Sequence, residues 1–283
     1  RKMTTRPPLE LGPMGGTPEY LAARIESLMR TFSALLDVDV QLVDSGGQGG
    51  STDCTTTIWV PLQDPEVYLT TEHELSHWTF ETSLELAVQF ETMVVSKLLN
   101  RAGIKAGTTD ALPFEKHLMG VVHYLWNVLE DWRCLGLWSD LYAGGGALLK
   151  ERWEGHAKHA PPAAIAVAQK SLIAYLGRVS CGEDTPDVPP GFLGCKDAMI
   201  RAKNRVEGVD AVACLGITGK LIDDIIDELL DNNPPPPPSA GPNGAGTPKP
   251  GSNGGPAAQH KAANQARKDQ ALHALKALSR SVP

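Results

Sequence analysis

Thr71-Glu-His-Glu-Leu-Ser-His-Trp-Thr-Phe80 is the stretch on which the reading of this chain turns. It contains H-E-x-x-H, with His73 and His77 at either end and Glu74 directly after the first histidine. On a helix, residues four apart are rotated by about 40° and displaced by about 6 Å. Two imidazoles so placed can converge on one Zn2+ at N–Zn distances of about 2.0–2.1 Å. Glu74 is turned about 100° from His73, where its carboxylate flanks the metal, holds a water in the open coordination position and takes its proton as general base. The competing reading is structural. A helical wheel puts His73, His77, Phe80, Leu84, Val88, Val95 and Leu98 on one stripe, where both histidines would be hydrogen-bonded core residues. A β-branched run just upstream, Thr55 to Val60, and carboxylates downstream weigh toward the metal.

Working outward, apolar periodicity predicts one uninterrupted helix from about Glu66 to Arg101 and a second from about Pro113 to Trp138, joined by a loop over 102–112. A catalytic zinc site takes three protein ligands and leaves one position open. The candidates on the second helix are His123, Glu130 and Asp131. In an antiparallel hairpin, His77 lies about 36 Å before Arg101, Glu130 about 26 Å after Pro113 and His123 only about 15 Å after it. Axial level therefore favours Glu130 or Asp131. Glu130 lies nearer the apolar stripe of Leu118, Val122, Leu125, Leu129 and Trp132. Asp131 points about 100° away and suits a supporting role, orienting an imidazole. Arg133 reads as an ion-pair partner of one of these carboxylates.

His73-Glu-Leu-Ser-His77-Trp-Thr-Phe80 followed by Asn127-Val-Leu-Glu130-Asp131-Trp-Arg133 resembles the paired H-E-x-x-H and N-x-L-E-D-x-R signatures of zincin-type metallopeptidases. These occur next to von Willebrand factor A-type domains in bacterial and phage proteins. The resemblance covers roughly residues 55–140. It implies Zn2+ held by His73, His77 and Glu130, gluzincin fashion, with Glu74 as catalytic base. The separation of His77 and Glu130 is longer than in thermolysin-like gluzincins. The chain has no D-x-S-x-S of an A-type domain, so that partner domain is expected beyond Pro283. Antirestriction proteins share a similar H-E-L-x-H-W-T string.

The remainder of the chain predicts a helix-rich α+β, zincin-like domain over 1–231 with a small β-sheet. Helical spacing runs from Glu19 to Leu36, and Val38 to Val43 alternates as a half-buried strand. Thr55 to Val60 reads as a second strand, taken as the sheet edge that lines the cleft and pairs with an extended substrate. Further helices are expected over 146–158, 162–179, 195–206 and 209–231. Residues 232–265 are rich in Pro and Gly and poor in apolar side chains, which predicts a disordered linker. A short helix is expected in the tail, 266–283.

Composition bounds the function. The chain has 283 residues, 42% hydrophobic and 21% charged, which suits a globular protein. A net charge of −7 with no basic stripe argues against a nucleic-acid partner. No apolar run approaches a membrane span, and the first residues carry no apolar leader. Five scattered cysteines without a C-x-x-C pair fit reduced thiols in the cytoplasm. The expectation is a zinc-dependent metallopeptidase acting on a peptide or protein substrate. The alternative is a non-catalytic zincin-fold scaffold working with a partner domain.

Overall fold

The computed structural model describes residues 30, 39–43, 50–61, 67–158, 161–231 and 256–279. Apart from Arg30, which is helical, the residues of the helix expected over Glu19–Leu36 lie outside these, as do linker residues 232–255. Two compact units divide the chain, residues 1–75 and 76–283. The dividing line falls inside the helix that carries the H-E-x-x-H motif.

The first unit holds a three-stranded sheet of β1 (Asp39–Val43), β2 (Ser51–Thr52) and β3 (Thr57–Pro61), in the order β1-β3-β2. β3 pairs parallel with β1, Asp39 facing Thr57, and antiparallel with β2, Ser51 facing Trp59. The turn between β2 and β3 is closed by Asp53, whose carboxylate accepts the backbone N–H groups of Thr55, Thr56 and Thr57 at 2.8–2.9 Å. Pairing on both sides suits the β-branched run of β3, and its Ile58 and Val60 are fully buried. This corrects the expectation for Thr55 to Val60: β3 is the central strand, and the edges are β1 and β2.

The motif helix α1 (Val67–Thr79) is followed by α2 (Leu84–Arg101), not continuous with it. Two local signals in Phe80–Ser83 make the break. Glu81 adopts a left-handed backbone, φ 55°, and the Thr82 N–H bonds the His77 carbonyl at 3.0 Å, a C-terminal cap of the Schellman kind. Ser83 then caps the next helix, its hydroxyl accepting the Leu86 N–H at 3.3 Å. Past the break, Leu84 and Val88, placed by the wheel on the histidine stripe, are 40% and 57% exposed, while Val95 and Leu98 of the same stripe are buried along with Ala87, Phe90, Val94 and Leu99.

The second unit is a helical assembly around α3 (Leu112–Leu141), whose buried face includes Leu118, Val122, Leu125, Leu129, Trp132 and Trp138. Its remaining helices are α4 (Ala143–Lys158), α5 (Pro162–Ala168), α6 (Leu172–Ser180), α7 (Pro190–Val206), α8 (Ala211–Asp231) and α9 (Pro256–Ser279). The segment expected as one helix over 162–179 is split because Ser171 caps α6, accepting the Ala174 N–H at 3.3 Å. α3 packs against α2, α4, α6, α7, α8 and α9. The tail helix α9 takes in residues 256–265, read from sequence as linker, and buries Ala271, Ala274, Leu275 and Leu278. Among the described residues, no helix is long and apolar enough to cross a membrane.

Candidate metal centre

His77, near the C-terminal end of α1, is 7% exposed and is gripped on both ring nitrogens. Its Nε2 lies 3.1 Å from Asp131 Oδ1, and its Nδ1 lies 3.1 Å from Thr82 Oγ1 and 3.5 Å from Cys134 Sγ. α3 supplies Asp131 and Cys134 from one turn. Thr82 arrives because the chain folds back after Thr79. Burial opposes a charge on this ring, but the Cys134 thiol and the Asp131 carboxylate outweigh it and hold its pKa above the ordinary 6.5.

His73 stands one turn earlier on the same unbroken helix and is half-buried. One ligand atom each from His73, His77 and Asp131 lies within 4.8 Å of the others. Asp131 is 6% exposed, and its second oxygen accepts from Asn127 Nδ2 at 3.3 Å. Glu74, the candidate base, is 6% exposed.

Glu130 sits on the other side of the His77 ring and is 1% exposed. Its carboxylate accepts from Arg133 twice, Nε to Oε2 at 2.8 Å and Nη2 to Oε1 at 2.5 Å, and from Thr82 Oγ1 at 2.6 Å. Burial pushes against ionisation of Glu130, but the Arg133 guanidinium, with Thr82 and His77, brings its pKa below the ordinary 4.5. Arg133 is itself 1% exposed and also bonds the Phe80 carbonyl at 3.0 Å, tying α3 to the turn after α1. Glu130, His77 and Cys134 form a second group of ligand-type atoms within 4.8 Å.

The two groups fit a dication unequally. Ligand atoms about 2.0–2.1 Å from a tetrahedral Zn2+ stand about 3.3 Å apart, close to the 3.1 Å between His77 Nε2 and Asp131 Oδ1. Two imidazoles and a carboxylate are suitable zinc donors. At the second group the Glu130 charge is already matched by a buried guanidinium, and a dication would be forced against Arg133. The set containing Asp131 therefore fits zinc, and the set containing Glu130 does not.

One other sequence candidate, His123, is placed elsewhere, and two tyrosines have partners of their own. His123 is turned to Glu91, Nδ1 to Oε1 2.8 Å, between α2 and α3. Tyr142 stacks on Trp138 with ring centroids 4.6 Å apart. Tyr124 lays its hydroxyl against the backbone of Gly177, and burial, then the Cys181 and Asp131 charges, raise its phenol above the ordinary value. Sequence reasoning did not single out Thr82 or Cys134. The usable signal for Cys134 was its one-turn separation from Glu130 on a helix; Thr82 had none without the turn. Comparison with protein-family models, with curated proteins and with solved structures found no match to this chain.

Proposed function

We propose that this chain is a zincin-type zinc metallopeptidase in which His73, His77 and Asp131 hold the metal and Glu74 is the general base. The observation that carries the reading is the convergence of these three donors within 4.8 Å, two of them one turn apart on a single helix. The exchange of roles between Glu130 and Asp131, relative to the sequence expectation, follows from Arg133. A carboxylate held in a buried double ion-pair contact supports the scaffold, and its neighbour Asp131, in contact with the His77 ring, is assigned to the metal.

When bound, zinc supplies the Lewis acidity that polarises a peptide carbonyl and makes a water acidic enough to lose its proton near neutral pH. The chain does the remainder. Thr82 accepts from the Nδ1 side of His77 and passes a hydrogen bond to Glu130, so that Nε2 faces Asp131. Such outer contacts fix the orientation of a ligating imidazole. Glu74 accepts the water proton and returns it to the leaving amine nitrogen. β2, an edge strand among the described residues, offers backbone groups to an extended peptide, the mode in which a substrate adds a strand to a sheet. The cysteines at 54, 134, 181, 195 and 214 are free thiols, which supports a cytoplasmic setting. A von Willebrand factor A-type partner domain remains part of the proposal on the motif resemblance alone.

Metal analysis of the purified chain beside His73→Ala and Asp131→Asn tests the site, with one zinc per chain expected in the wild type and little in either variant. Glu74→Gln is expected to retain zinc and lose cleavage of a peptide library. A wild type that takes up no zinc refutes the assignment. A Glu74→Gln variant that cleaves as well as wild type refutes the role of the base.

A further inference from the structure

Gly50 lies immediately before β2, against two side chains one turn apart on α1. A Cβ built on it would stand 2.8 Å from Glu74 Cγ, 2.9 Å from Thr70 Cγ2 and 3.0 Å from Glu74 Oε1. Real Cβ contacts are essentially never this close, and these neighbours are confined, Thr70 being 2% and Glu74 6% exposed. Gly50 does not adopt a left-handed φ, so an L-residue is acceptable to its backbone. What excludes a side chain here is the Glu74 carboxylate arm together with the Thr70 methyl. Other glycines differ: a Cβ at Gly103 would meet only the flexible Lys268 side chain, and one at Gly120 would meet nothing within 4 Å.

We infer that Gly50 is a positioning residue for the general base: its bare backbone forms a roof over Glu74 that holds the carboxylate arm in one place and shields it from bulk water. The inference rests on the metallopeptidase reading and adds a residue to it. A methyl group at position 50 must displace Glu74 by several tenths of an ångström to reach ordinary contact distance. A misplacement approaching 1 Å in a catalytic constellation costs up to about a hundredfold in rate. The three atoms nearest such a Cβ belong to Glu74 and Thr70 and not to the proposed metal ligands, so zinc affinity is expected to stay put while events that depend on Glu74 suffer.

The test compares wild type, Gly50→Ala and the control Gly120→Ala by zinc competition titration, by calorimetric binding of acetohydroxamate to the zinc-loaded chain, and by kcat and KM on a peptide selected with the wild type. Hydroxamates engage both the metal and the base, so their affinity reports the position of Glu74 without turnover. Gly50→Ala is expected to bind zinc within about threefold of wild type, to lose at least about tenfold in acetohydroxamate affinity and to lose kcat more than KM; Gly120→Ala is expected to match wild type throughout. If the single variant does not fold, Gly50→Ala/Thr70→Ser removes the Thr70 methyl and gives the new side chain room. That double variant is expected to fold and recover part of the acetohydroxamate affinity. A Gly50→Ala chain that binds both zinc and acetohydroxamate as wild type overturns the inference and leaves the metallopeptidase reading standing. A wild type that binds neither overturns the reading beneath it and the inference together.

Discussion

Replacing Glu130 with glutamine keeps the shape of the side chain and removes the charge that faces Arg133. Both partners are 1% exposed, so water cannot screen what is left: a buried guanidinium with no counter-charge. Removing one member of a buried ion pair costs about 3–5 kcal/mol. For a domain of roughly 150–250 residues each kcal/mol moves the melting midpoint by about 2–4 °C, so Glu130→Gln is expected to lower it by about 6–20 °C. The proposed zinc-binding atoms of His73, His77 and Asp131 are retained, and the loss reaches His77 from its Nδ1 side, through Thr82 and Cys134. Zinc affinity is therefore expected to fall by about 10–100-fold, the range for a supporting contact. Asp131→Asn should do the reverse. It gives up the 3.1 Å contact to His77, about 1.5–3 kcal/mol for a bond to a charged group, and loses zinc almost entirely. Calorimetry of the metal-free proteins and zinc competition titration on the same samples measure the two effects separately. If Glu130→Gln abolishes zinc binding while Asp131→Asn retains it, the assignment of roles is backwards.

Acid should weaken the same ion pair. The folded-state pKa of Glu130 lies below its ordinary 4.5, so the contribution is fully present above the unfolded value and is lost as pH falls through the folded one. Denaturant midpoints from pH 6 to pH 3 are expected to drop mainly below about pH 4.5, and less steeply in Glu130→Gln. Zinc binding should show the opposite sensitivity, because His77 must be unprotonated to donate and its pKa is raised above 6.5. Affinity is expected to climb by up to about tenfold per pH unit above neutrality, with proton release seen by calorimetry in buffers of different ionisation enthalpy. Glu81→Gly relieves a left-handed φ of 55° at an exposed residue. It is expected to raise stability by up to about 1 kcal/mol, read as an increased urea midpoint.

Much of this arrangement was legible in the sequence where one local rule decided the outcome. The spacing of His73 and His77 places both on one face of any helix, and the tandem Glu130-Asp131 had to present one carboxylate to each side of its own. The wheel put Glu130 nearer the apolar stripe, and it is the more buried of the two carboxylates, 1% against 6%. Under the proposed coordination, burial does not select the ligand. The more buried carboxylate is the one the interior must neutralise, and Arg133, three residues on, does so. Leu84 and Val88 were misplaced because a helical wheel runs on through a break it cannot see. The Thr82-Ser83 pair before Leu84 was the available signal, a hydroxyl cap in front of an apolar run. The sheet order β1-β3-β2 depends on pairings between separate strands, on which the β-branched run of β3 is silent.

The break between α1 and α2 is what builds the site. Had the helix run on past Thr79, Thr82 would stand five residues from His77, rotated by about 140° and raised by about 7.5 Å, beyond reach of the ring. Ending the helix with Glu81 in a left-handed conformation turns the chain back, and the bond from the Thr82 N–H to the His77 carbonyl places Thr82 beside the residue it must hold. The same turn exposes the Phe80 carbonyl to Arg133. One side chain of α3 thus fixes the turn and neutralises Glu130, while Glu130 fixes Thr82 and Thr82 fixes His77. A strained residue adjoining a chain of buried hydrogen bonds that ends on a ring nitrogen is costly to build for packing alone. It is economical if the ring must be held in one orientation with its other nitrogen directed at Asp131.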